Sequence, residues 1–232
     1  MKFSEVLNSN RFSVVAALPS NDPLLVKAAL EGGAQSVKCH CNVWHRASGH
    51  TFGSFEENRA FFAEAAELCG QIPFGVVPGA DSAFVTEEEY RAFPELGIGY
   101  VSAYLDHAPA FLLNYAAPEK MLALSCRSTP DRVSALNRTS YTDVVELSIQ
   151  KGEDYGKPLN CDDLLRYSLL ANSLRFSCIV PTQKRILPSD IRQLCGAGIK
   201  GLMIGAIVFG ADPTPETVKR VTASYRESIE AL

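Results

Sequence analysis

The sequence predicts an α/β protein built as a single (β/α)8 TIM barrel, and three observations point there. Apolar strand-like runs alternate with helical patterns eight times along the chain. Those runs are apolar at most positions, as strands covered on both faces must be. The 232 residues match the usual size of this architecture and leave no length for a second domain, so residues 1–232 read as one barrel. An open doubly wound sheet competes, but it leaves edge strands and usually uses fewer of them.

The first strand is FSVVAALP, 12–19, followed by the helical DPLLVKAALEGG, 22–33, with Asn21 as the expected N-cap and glycines at its end. AQSVKCHCNV, 34–43, is the second strand, and after a loop comes SFEENRAFFAEAAELCG, 54–70, where Ser54 and Glu57 have capping-box spacing. IPFGVVPG, 72–79, leads into TEEEYRAFPELG, 86–97, where Thr86 and Glu89 repeat that spacing. YVSAYLD, 100–106, pairs with PAFLLNYAA, 109–117, and KMLALSC, 120–126, with TPDRVSALNRT, 129–139. DVVELSIQ, 143–150, precedes CDDLLRYSLLANSL, 161–174, and FSCIVPTQ, 176–183, precedes LPSDIRQLCGAG, 187–198. GLMIGAIVFG, 201–210, and the helical TPETVKRVTASYRESIEAL, 214–232, complete the series.

With 47% hydrophobic and 21% charged residues the chain can fill a real core. A net charge of −4, without a local basic run, argues against nucleic acid or anionic lipid as a partner. No run approaches a membrane span and no leader pattern is visible at the start, so the expectation is a cytoplasmic protein. The seven cysteines are an odd, scattered set, read as reduced thiols. Cys39 and Cys41 have no second pair with which to hold zinc.

Active sites of such barrels lie at the C-terminal ends of the strands, and strand residues two apart share a direction. Val37, Cys39 and Cys41 suit the helix layer, which turns Lys38, His40 and Asn42 inward. Val145, Leu147 and Ile149 likewise leave Glu146 and Ser148 facing in. Ser102, Tyr104 and Asp106 share a face of the fourth strand, with His107 directly after. A buried lysine is costly unless paired or used, and Glu146 is the natural partner of Lys38. The expected catalytic set is therefore Lys38, His40 and Glu146: a lysine that polarises a carbonyl or forms an imine with it, beside groups that move protons. The plainer alternative is an ion pair that fills the core.

All four histidines, His40, His45, His50 and His107, follow strands two and four, yet no ligand-spacing motif accompanies them. No metal and no cofactor are expected. Arg46 in the long loop reads as a clamp for an anionic substrate or as a surface charge. Trp44, Phe52 and Phe55 in and beside that loop suit either a homodimer contact or a cap over the mouth. At the seventh and eighth strands, Gln183, Lys184, Gly205 and Ala206 form a candidate anion corner, because a glycine admits a ligand to the backbone and a short helix follows.

The stretch IVPTQKRILPSDIRQLCGAGIKGLMIGAI, 179–207, resembles the phosphate end of ribulose-phosphate binding barrels. EGGAQSVK, 31–38, is similar to N-acetylmannosamine-6-phosphate 2-epimerases within that superfamily. The resemblance implies a small phosphorylated substrate. The epimerase pattern places a lysine at the end of strand three, where this chain has VVPGAD, 76–81, and an acidic residue where it has Gln183. Shared phosphate binding with different chemistry is the implication.

The functional expectation is a metal-independent lyase or isomerase, aldolase- or epimerase-like, acting on a small phosphorylated sugar-like carbonyl compound. Asn42, Arg46, Asp106, His107, Gln183, Lys184, Gly205 and Ala206 would bind it. Two alternatives stay open: a barrel that binds a metabolite without turnover, and a metal-dependent hydrolase using the histidines.

Overall fold

The computed structural model describes residues 1–80 and 83–232. Strands β1 (Ser13–Ala17) and β2 (Ser36–His40) lie side by side, and a separate antiparallel hairpin follows them, β3 (Val43–His45) with β4 (His50–Phe52). Six further strands complete the sheet: β5 (Phe74–Val77), β6 (Tyr100–Tyr104), β7 (Glu119–Ser125), β8 (Val144–Ser148), β9 (Ser177–Pro181) and β10 (Gly201–Ile204). Parallel pairing in chain order, closed by β10 on β1, makes an eight-stranded barrel. The predicted (β/α)8 architecture is thus the observed one.

The helices are α1 (Phe3–Ser9), α2 (Pro23–Glu31), α3 (Phe55–Cys69), α4 (Glu87–Arg91), α5 (Pro130–Leu136), α6 (Cys161–Ser173), α7 (Ile191–Gly196), α8 (Ala206–Phe209) and α9 (Pro215–Glu230). Ser54 and Glu57 form the expected capping box on α3, as Thr86 and Glu89 do on α4. The cap of α2 is Asp22 rather than Asn21. Asn21 instead donates to the backbone carbonyl of His40 at 2.7 Å, so it ties the end of β2 to the loop after β1.

Three segments depart from the sequence reading. The stretch expected to be helical over 86–97 is regular only through Arg91, because Pro94 has no backbone N–H with which to continue the helix. The helix expected over 109–117 is a five-residue 3-10 turn, Ala110–Asn114. Helix α1 and the hairpin were not expected: strands of three residues are too short to show alternation, and a seven-residue helix shows little periodicity.

Alternation along the strands builds two cores. Val14, Val37, Cys39, Val145, Leu147 and Val180 pack outward beneath the helices. Val15, Ala17, Tyr100, Met121, Val144, Ile179 and Met203 meet inside the barrel with Phe3 and Leu7 of α1. Phe3 stacks on Tyr100 at 4.3 Å between ring centroids. Gly75 is needed opposite that ring, since a Cβ there would lie 2.2 Å from Tyr100 Cζ. The lower barrel is thereby plugged, and the open space lies at the C-terminal ends of the strands.

Candidate active site

A cavity of about 360 Å³ occupies that end, within the range of small-molecule sites. Lys38 and Glu146 reach it from β2 and β8 by the alternation that sends their neighbours outward. The Lys38 Nζ lies 3.3 Å from Glu146 Oε2 and 3.3 Å from Ser102 Oγ. Ser102 donates to Glu146 Oε2 at 2.8 Å, and Ser148 to Glu146 Oε1 at 2.6 Å. Burial pushes the Glu146 carboxyl up, but the Lys38 charge and the donors Ser148, Ser102 and Lys38 outweigh it and hold the group below its ordinary value. Glu146 is therefore an anion at neutral pH.

His40 lines the same cavity, with its ring centroid 4.6 Å from His45 and 4.7 Å from Phe52. Burial, then the neighbouring His45 and Lys38 charges, depress His40 well below the usual imidazole value despite a backbone contact with Leu18. Burial also lowers His45 to about 4. Both rings are neutral at neutral pH. His50 turns away, with Nδ1 3.0 Å from the Pro19 carbonyl and Nε2 3.2 Å from Asp212. Among the described residues, no group of three or more His, Cys, Asp and Glu is arranged to hold a metal ion.

The remaining sequence-predicted residues divide. Arg46, His107, Gln183, Gly205 and Ala206 all line the cavity. The exposed Arg46 guanidinium lies over Trp44, 5.7 Å from the ring centroid, and against Gly152, whose position would bring a Cβ to 3.0 Å from one guanidinium nitrogen. Three residues sit off the cavity, contrary to expectation. Asn42 follows the end of β2 with a left-handed φ of 52°, so the strand alternation that aims Lys38 and His40 stops before it. Asp106 lies beyond the end of β6 and pairs with Arg132 at 2.6 Å and Arg127 at 3.3 Å. Lys184 turns behind the wall to Asp163 at 3.1 Å. Asp81, at the end of the VVPGAD stretch, lies outside the described residues.

The sequence reading missed Tyr155, which reaches the cavity from the long β8–α6 connection, a stretch without periodicity. Its hydroxyl accepts from Gln183 Nε2 at 2.7 Å. Tyr104 and Ser148, both on inward strand faces, complete that wall.

No protein-family model matches this sequence, and no curated protein matches it. Solved structures do match, over nearly the whole chain. Tryptophan synthase subunit alpha from Legionella pneumophila str. Paris is 11% identical with a TM-score of 0.70, covering 99% of this chain and 97% of its own. Thiamine phosphate pyrophosphorylase from Pyrococcus furiosus is 13% identical, TM-score 0.65, covering 96% and 97%. The YdjI aldolase from Escherichia coli K12 is 10% identical, TM-score 0.64, covering 100% and 95%. At such identities the likeness is one of fold, and it agrees with a closed (β/α)8 barrel.

Proposed function

We propose that this protein is a lyase or isomerase acting on a small phosphorylated sugar-like carbonyl compound, with Lys38 at the reacting centre. One observation carries the reading: a lysine amine 3.3 Å from a carboxylate, both buried, at the floor of a cavity at the C-terminal ends of the strands. Transfer of the amine's proton to Glu146 frees the nitrogen lone pair to attack a substrate carbonyl. Glu146 then returns that proton to the carbinolamine hydroxyl, which leaves as water and yields the iminium. The iminium draws electrons from the adjacent carbon, so a C–C or C–H bond there can break. His40, neutral in the wall, keeps a second positive charge away from the amine.

The substrate's anion is assigned to the upper cavity. Arg46 forms no ion pair among the described residues and reaches the rim, while Thr182, Gly205 and Ala206 line the ends of β9 and β10. Lys184, committed to Asp163, takes no part in this version of the phosphate site. Coverage of nearly the full chain by an aldolase fold is compatible with the reading and does not by itself carry it.

Borohydride reduction in the presence of dihydroxyacetone phosphate tests the proposal. A stable mass increase on Lys38, absent from Lys38→Ala, is the expected result. Absence of any adduct under conditions that trap an authentic imine enzyme would exclude the iminium and leave only direct enolisation by Glu146.

A further inference from the structure

We infer that Tyr155 donates a hydrogen bond to the anionic group of the substrate, and that Gln183 is the positioning residue that turns the Tyr155 proton toward it. This deepens the proposed function and rests on it. Tyr155 lines the cavity, and its hydroxyl accepts from Gln183 Nε2 at 2.7 Å.

The direction of that bond is fixed from behind the wall. The backbone N–H of Gln150 can only donate, and it lies 3.0 Å from Gln183 Oε1, so the end of the amide that meets Tyr155 is the NH2 group. Gln150 is itself held, its side chain donating to Asp163 at 3.1 Å and to Tyr167 at 3.0 Å. The backbone joins the same segments: the Gly156 N–H donates to the Gln183 carbonyl at 2.8 Å, and the Arg185 N–H to that of Lys157 at 2.9 Å. Tyr155 is thereby set against the end of β9 with one lone pair occupied. An NH2 group accepts nothing, so the phenol gives its own proton to another group. Burial raises the phenol above the ordinary tyrosine value, so that proton is present at neutral pH.

An anion is the ligand this arrangement fits. The Gly205 backbone N–H, the donor a glycine corner would offer, is already given to Thr182 Oγ1 at 3.0 Å. Side chains supply donors in its place. Arg46 lies against Gly152, three residues before Tyr155 in the same connection, and Arg46 and Tyr155 both line the cavity. A guanidinium and a phenol O–H on one connection suit the oxygens of a phosphate. Tyr104, in the same wall, is the competing acceptor for the Tyr155 proton.

Calorimetric dissociation constants for dihydroxyacetone phosphate and for dihydroxyacetone, measured at pH 8, test the inference. Tyr155→Phe removes one oxygen and should weaken the phosphate ester about tenfold while leaving dihydroxyacetone unchanged. In Gln183→Glu the side chain no longer donates: its carboxylate keeps the Gln150 N–H and draws the Tyr155 proton to itself. Adding Tyr155→Phe to Gln183→Glu should therefore cost no further affinity, because the charge of the new carboxylate is common to both variants. Unchanged binding of the ester by Tyr155→Phe would place the proton on Tyr104 and overturn the inference. Equal losses for the two ligands would overturn the assignment to the anion, and a further tenfold loss in the double variant would overturn the role of Gln183. No binding of the ester by the wild-type protein would remove the proposed substrate and this inference with it, an outcome distinct from wild-type binding that Tyr155→Phe leaves unchanged.

Discussion

Lys38–Glu146 and Lys184–Asp163 are both lysine–carboxylate pairs held out of solvent, at 3.3 and 3.1 Å, with side chains at most 7% exposed. By separation and burial they are alike, yet their surroundings differ. Glu146 is held by the hydroxyls of Ser102 and Ser148, whose residues line an open cavity, and its partner amine faces the same space. Asp163 is held by the Asn160 backbone N–H in the cap of α6 and by Gln150, behind the wall. The second pair clamps the loop after β9 to the start of α6. Burial of an ion pair therefore does not by itself point to chemistry; the open cavity and the hydroxyl donors beside Glu146 are what support placing the proposed reaction at Lys38.

The largest effect that sharpens this contrast is on chemistry. Lys38→Met should abolish borohydride trapping of dihydroxyacetone phosphate, at a smaller thermal cost because Ser102 and Ser148 still donate to Glu146. Asp163→Ala should do the reverse. It strands a buried lysine and should cost about 3–5 kcal/mol, read as a fall in Tm of roughly 10 °C, with adduct yield preserved below the transition. Equal loss of stability from the two variants would break the comparison.

Acid should expose the cavity's imidazoles next. His45 lies near 4 when folded and near 6.5 when unfolded, so between those values the unfolded chain takes up a proton that the folded one refuses. Stability should fall as pH drops from 6.5 to 4 and level off for this group below that. His40 contributes in the same direction, and Glu146, lowered in the fold, adds a loss that begins below its unfolded value of 4.5. His45→Gln should flatten the slope of Tm between pH 6.5 and 4. The smallest expected effect is that of Ser102→Ala, which removes one donor to Glu146 and should cost about 1 kcal/mol by denaturant titration.

Much of the fold was legible in the sequence because strands buried on both faces leave long apolar runs, and capping residues such as Ser54 and Thr86 announce helices. Inward-facing charges on otherwise apolar strands made Lys38 and Glu146 visible in the same way. What escaped lies where no period constrains the chain. Tyr155 comes from an irregular connection, Asn42 leaves the strand's alternation through a left-handed residue, and Lys184 follows β9 into a loop whose direction the strand pattern does not set.

A crystal structure of the protein reduced with borohydride in dihydroxyacetone phosphate tests the central claim most directly. The expected density is continuous from Lys38 Nζ into the ligand, with the phosphate between Arg46 and the ends of β9 and β10. Density joined to Lys184, or an untouched Lys38–Glu146 pair with the phosphate outside the cavity, would contradict it.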